Sequence, residues 1–139
     1  MVKAIGRVSA AATLLLATTT VLIRVVLVPR WWRGDPVEFK AWFVKAAPKL
    51  RAVMVPLGAT ATAMAAINAL VTRRPRPVLG AAGAAGLAAI TMTINEPMNA
   101  RFEGPDPVQR ADLDRWVRWH NVRVVLGVVA AWGAAARRR

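Results

Sequence analysis

Apolar residues in this chain fall into long blocks rather than amphipathic stripes, at positions 8–28, 53–71, 78–94 and 124–136. Such blocks predict membrane-spanning helices, since about 20 apolar residues cover about 30 Å of hydrocarbon. The first two blocks suffice, the third is slightly short and the fourth clearly short. The fourth reaches the required length by starting at Trp116, so the predicted spans are 8–28, 53–71, 78–95 and 116–136, a single transmembrane domain over 1–139. At 1.5 Å per residue, His120 then lies roughly 6 Å and Arg123 roughly 10 Å below the interface. If the first helix leaves the membrane near Pro29, Arg24 lies about 7 Å inside it.

The two long connections between spans resemble each other. Asp35-Pro36-Val37-Glu38 and Asp106-Pro107-Val108-Gln109 each read as an N-cap Asp, a Pro at the first helical position and a capping-box residue three positions on. The first predicts a helix from Pro36 that bends near Pro48 and Pro56. The second predicts a helix from Pro107 to about Ala136, with Trp116, Trp119, His120 and Arg123 on one face at i, i+3, i+4 and i+7. The fold class is therefore all-α, an integral membrane four-helix bundle with helical outer extensions. Lys3 and Arg7 before an apolar run suggest a signal peptide, but the long run, its internal Arg24 and the want of a small-residue cleavage site favour a retained first helix.

Composition agrees with a lipid environment: 56% of the residues are hydrophobic. The net charge of +13 lies mainly outside the apolar blocks, which argues for membrane topology and against nucleic acid. Without cysteine there is no disulfide, thiolate nucleophile or thiolate-held metal. Lys3, Arg7, Arg73, Arg74, Arg76 and Arg137 to Arg139 share one side with no acid, whereas all seven acids lie opposite. This places both termini in the cytoplasm and the protein in the cell membrane. Trp31, Trp32, Trp42, Trp116 and Trp119 are then expected as an interfacial belt on the far side.

The most chemically loaded stretches fall at neighbouring helix ends. Asn95-Glu96-Pro97-Met98-Asn99 closes the third block, and Trp116-x-x-Trp119-His120-x-x-Arg123 opens the fourth. Polar side chains at membrane depth are expensive and normally face a bundle interior or cavity. Depth arithmetic therefore predicts that Arg24, Asn95, Asn99, His120 and Arg123 line one pocket. Trp116 and Trp119 are candidate substrate platforms, although interfacial anchoring explains them as simply, and Asn95 and Asn99 flanking Pro97 also suit backbone groups freed at a helix end. No nucleotide fingerprint, multi-histidine set or other metal-ligand set is present.

Together, the four short helices, Asn95-x-Pro97-x-Asn99 and the Trp116 to Arg123 motif resemble the anthrone oxygenase-like family of small membrane proteins, across most of the chain. The resemblance implies oxidation of a phenolic polycyclic anthrone to an anthraquinone by O2, without an evident metal or flavin. The chemistry suits these residues. An anthrone has an acidic benzylic C–H, and its anion can reduce oxygen, so a base and anion stabilisation are the main needs. His120 is the candidate base. Arg123, with Arg24, is the candidate anion stabiliser; Asn95 and Asn99 are candidate donors to the substrate's oxygens. Glu96 is placed to orient His120 or to balance the two arginines. The expected partners are the lipid bilayer, a hydrophobic aromatic molecule and O2, and a homo-oligomer is compatible. No cofactor is needed. Two other classes fit the same residues: a haem or quinone binder using His120, and a structural or accessory membrane subunit in which His120 and Arg123 hold helices together.

Overall fold

The computed structural model describes residues 1–135. The basic tail Arg137 to Arg139, counted above for orientation, lies outside the described residues. Helix α1 (Val2–Leu22) runs through a π-helical segment, Ile23–Leu27, into α2 (Val28–Arg33). Gly34, in extended conformation, ends this rod, and Asp35 begins the next by accepting the Val37 N–H at 2.8 Å. Pro36 occupies the first turn, where its missing N–H costs nothing. Helix α3 (Pro36–Thr72) remains one helix through Pro48 and Pro56. Arg73, with φ 49°, breaks it in the left-handed region, and Pro75 opens α4 (Pro75–Ile90). A second π-helical segment, Thr91–Asn95, leads into α5 (Glu96–Glu103), and α6 spans Arg110–Ala134.

The start of α6 differs from expectation. Its cap is Gln109 with Asp112, each side chain paired with the other's backbone, rather than Asp106 with Gln109. The ammonium of Lys40 donates to the carbonyls of both Gly104 and Asp106. That long-range contact occupies the Asp106 carbonyl and leaves the helix to start three residues beyond Pro107.

The rods Val2–Arg33, Pro36–Thr72 and Pro75–Glu103 are each long and apolar enough to cross a membrane. Helix α6 is charged through its first turns, with Arg110, Asp112, Asp114, Arg115 and Arg118 before its apolar run. The chain is an all-α membrane bundle. Helix α1 packs on α3, α3 on α4, α4 on α6, and α6 back on α1, which closes a four-membered ring. Its polarity suits lipid: Leu14, Leu70 and Val125 face outward, whereas Ser9, Thr13 and Thr20 of α1 are fully buried.

The two ends of the ring are packed differently. Near the chain termini, α4 and α6 touch backbone to backbone. A Cβ on Gly133 would overlap the Gly80 backbone, so no larger residue fits without moving a helix. Ala65, Ala84 and Ala130 continue this small-residue waist. At the loop-rich end, Trp31, Phe39, Phe43, Phe102 and Trp116 form one aromatic cluster, many of its neighbouring rings meeting edge to face. Trp31 and Trp116 are thus core residues, not members of an interfacial belt. Trp32 and Trp42 are exposed, and the Trp32 indole donates to Asp114 at 2.8 Å.

Candidate active site

Between the small-residue waist and the aromatic cluster, the helices frame a partly open cavity of about 500 Å³. This is within the range of about 300–1,000 Å³ that holds small organic ligands. Its walls are mainly apolar, with Leu16, Met54 and Leu87 toward the waist and Trp31, Phe43 and Trp116 toward the loops. Arg51, Glu96, Asn99 and Arg123 supply most of its polarity.

These groups arise from the local structure. The second π-helical segment ends on Asn95, and α5 then carries Glu96 and Asn99 one turn apart. The inward face of α6 repeats Leu113, Trp116, His120, Arg123 and Gly127, a spacing of three or four residues that puts all five on one stripe. The Trp116 indole N–H donates to Asn99 Oδ1 at 2.9 Å, and Asn99 Nδ2 donates to Glu96 Oε1 at 2.8 Å. The other Glu96 oxygen accepts from Arg51 Nε at 3.1 Å. Arg51 also pairs with Glu103 at 3.0 Å. A directed chain therefore runs from α6 through α5 to α3, and one carboxylate takes donors from both sides.

Sequence reasoning did not pick out Arg51. It stands two residues before the second apolar block, and its partners lie 45 and 52 residues away. Nothing local signals that pairing. Glu96 accordingly meets Arg51, where the sequence had suggested His120 or a balance between Arg24 and Arg123.

Of the sequence-picked residues, Glu96, Asn99, Trp116 and Arg123 line the cavity. Asn95 and His120 do not. His120 is fully enclosed, its ring stacked on Trp116 with centroids 4.8 Å apart and planes 8° from parallel. Its Nε2 lies 3.0 Å from the carbonyl oxygen of Thr20. A carbonyl only accepts, so Nε2 carries the proton, and in the neutral ring Nδ1 holds the lone pair. That Nδ1 is buried with no partner, as are both polar atoms of the Asn95 side chain. Unpaired buried polar atoms of this kind call for a ligand, a water or a chemical role.

Arg24 and Trp119 stand apart from the cavity. Arg24 sits in the first π-helical segment and donates to Asn121 Oδ1 at 2.6 Å, a half-exposed link between that segment and α6. Trp119 is half-buried. The helical face explains this difference, since Trp119 is offset around α6 from the Trp116–His120–Arg123 stripe. Among the described residues, no three His, Cys, Asp or Glu side chains are grouped to hold a metal ion.

Compared with known proteins, residues 39–133 match the family model described as anthrone oxygenase. The match covers more than half of the chain and includes the cavity residues from α3, α4, α5 and α6. No curated protein and no solved structure matches the chain.

Proposed function

Since the chain belongs to the anthrone oxygenase family, we propose that it is a membrane oxygenase that converts the activated CH2 of a phenolic, anthrone-like polycycle to a carbonyl with O2. The observation that carries this reading is the cavity itself: an apolar, aromatic-walled space inside a membrane bundle, with its hydrogen-bonding groups gathered on one part of its wall.

The chemistry balances without a further reductant. A base removes one benzylic proton, and the resulting anion passes an electron to O2. The carbon radical and superoxide combine to a peroxide, which is protonated, and loss of the second benzylic proton with hydroxide gives the carbonyl and one water. The four electrons removed from the CH2 are the four that reduce O2. The protein supplies the base and the stabilisation of the negative charge, and no cofactor enters the scheme.

His120 is the base in this reading, because the Thr20 carbonyl fixes Nε2 as the donor and leaves Nδ1 able to accept. Trp116 lines the cavity and stacks on the imidazole, so proton transfer to Nδ1 requires the indole to move aside. Arg123, on the wall, stabilises the oxyanion and the superoxide-like transition state. Asn99, on the wall, orients the substrate. A second assignment has its own support: Glu96 lies on the wall, where His120 does not, and can take the proton directly. On this reading the protein resides in the cell membrane with both termini cytoplasmic.

Oxygen uptake by protein purified in lipid nanodiscs, with a panel of phenolic polycycles, tests the proposal. The expected result is one O2 consumed per quinone formed, with no added reductant. No uptake across the panel overturns it.

A further inference from the structure

Two arginines line the cavity, and their electrostatic situations differ. Arg51 is matched by Glu96 and Glu103. Arg123 is only 8% exposed, and none of the ion pairs among the described residues involves it. Its Nε is buried with no hydrogen-bond partner. A mostly buried guanidinium with no carboxylate in ion-pair contact is costly inside a membrane bundle. Glu96, on the same wall, is near enough to act on Arg123 electrostatically, but it makes its ion pair with Arg51.

We propose that the ligand brings the missing charge: the cavity binds a flat aromatic molecule as an anion, with an ionised phenol or carboxylate seated on Arg123. The body of the ligand lies among the rings of Trp31, Phe43 and Trp116, where stacking and edge-on contacts favour a planar skeleton. Arg123 presents several N–H donors in one plane, a geometry that suits two oxygens or one oxygen flanked by a second acceptor. The ammonium of a lysine would supply the charge without that fork. This inference deepens the reading of the cavity as the substrate site, and it specifies that ground-state affinity depends on the ligand's charge.

Binding is measured by isothermal titration without turnover, on protein in nanodiscs of zwitterionic lipid. The probes are anthraquinone-2-carboxylate, its uncharged isostere anthraquinone-2-carboxamide, and oleate. The carboxylate is expected to bind at least about tenfold more tightly than the isostere, because a fully desolvated charge pair is strongly coupled. Arg123→Gln should erase that difference while leaving the isostere's affinity intact, which also reports that the variant is folded. Arg123→Lys should restore part of it. Equal affinity for the two anthraquinones in the unmodified protein overturns the proposal, and so does a preference for the carboxylate that survives Arg123→Gln. Tighter Arg123-dependent binding of oleate than of the aromatic carboxylate overturns the planar-ligand assignment. Arg123-dependent binding of the aromatic anion in a protein that consumes no oxygen would leave this inference standing and remove the oxygenase reading.

Discussion

The imidazole of His120 lies flat on the indole of Trp116, with ring centroids 4.8 Å apart. One ring thus faces the cavity and the other backs it. Trp116 is tied to Asn99 through its N–H, while His120 is tied to the Thr20 carbonyl. The stack consequently joins α6 to α5 on one side and to α1 on the other. An imidazole held in this way has a fixed tautomer, with the indole covering one face of its ring.

On the proposal that His120 is the base, its loss is expected to lower the rate by about 10² to 10⁴. His120→Ala should reach the membrane fraction and bind substrate, but consume oxygen at that reduced rate. Full turnover by folded His120→Ala, with a comparable collapse in Glu96→Gln, would transfer the base role to Glu96. A Soret band in the purified protein that vanishes with His120→Ala would favour a haem ligand instead.

Trp116→Phe retains an aromatic ring but removes the donor to Asn99. Its stability cost should be about 1 kcal/mol, typical of one internal hydrogen bond. Oxygen consumption should also fall, because Asn99 loses its fixed orientation. Thermal unfolding and oxygen uptake on the same preparations read the two effects separately, and an unchanged rate would remove Asn99 from substrate positioning.

The Arg51–Glu96 pair is partly exposed, with side chains 37% and 29% accessible. A double-mutant cycle with Arg51→Met and Glu96→Gln should therefore give a coupling of no more than about 1 kcal/mol, weakened by salt. A much larger coupling would mean that the pair is more enclosed in the bilayer than its accessibility indicates.

At the waist, Gly133→Leu should abolish folding or strongly reduce yield, since even its Cβ overlaps the Gly80 backbone. Gly58→Ala meets nothing within 4 Å and should be tolerated. A well-folded Gly133→Leu protein would show that α4 and α6 are not in backbone contact.

Reporter fusions address topology. A C-terminal fluorescent or phosphatase reporter should register the cytoplasmic side, as the acid-free basic segments predict. Activity of the reporter only outside the cell would reverse the assignment.

Much of this architecture is legible in the sequence because it depends on local periodicity. The apolar blocks mark the rods, and the spacing of Trp116, His120 and Arg123 places them on one face of α6 whatever surrounds that helix. Other features depend on contacts distant along the chain. The pairing of Arg51 with Glu96 requires α3 and α5 to meet, and the late start of α6 requires Lys40 to reach the Asp106 carbonyl. Trp31 reads as an interfacial anchor by composition, yet Phe39 and Trp116 enclose it. The separation of His120 from the cavity is likewise invisible in spacing, because the intervening indole belongs to the same stripe.

The two π-helical segments bear on how the loop-rich end is aimed. Each residue advances an α-helix by about 100° of rotation and 1.5 Å of rise, and a π-type turn accommodates an additional residue without breaking the rod. Ile23–Leu27 precedes Trp31, and Thr91–Asn95 precedes Glu96 and Asn99. Thr91–Asn95 therefore works as a phase shifter between a waist whose register is locked by backbone contact of α4 with α6 and a site whose side chains must point elsewhere. Removing one residue from Thr91–Asn95 would restore an uninterrupted helical phase and swing Glu96 and Asn99 off the cavity wall together, with both carboxamide and carboxylate still present in the chain.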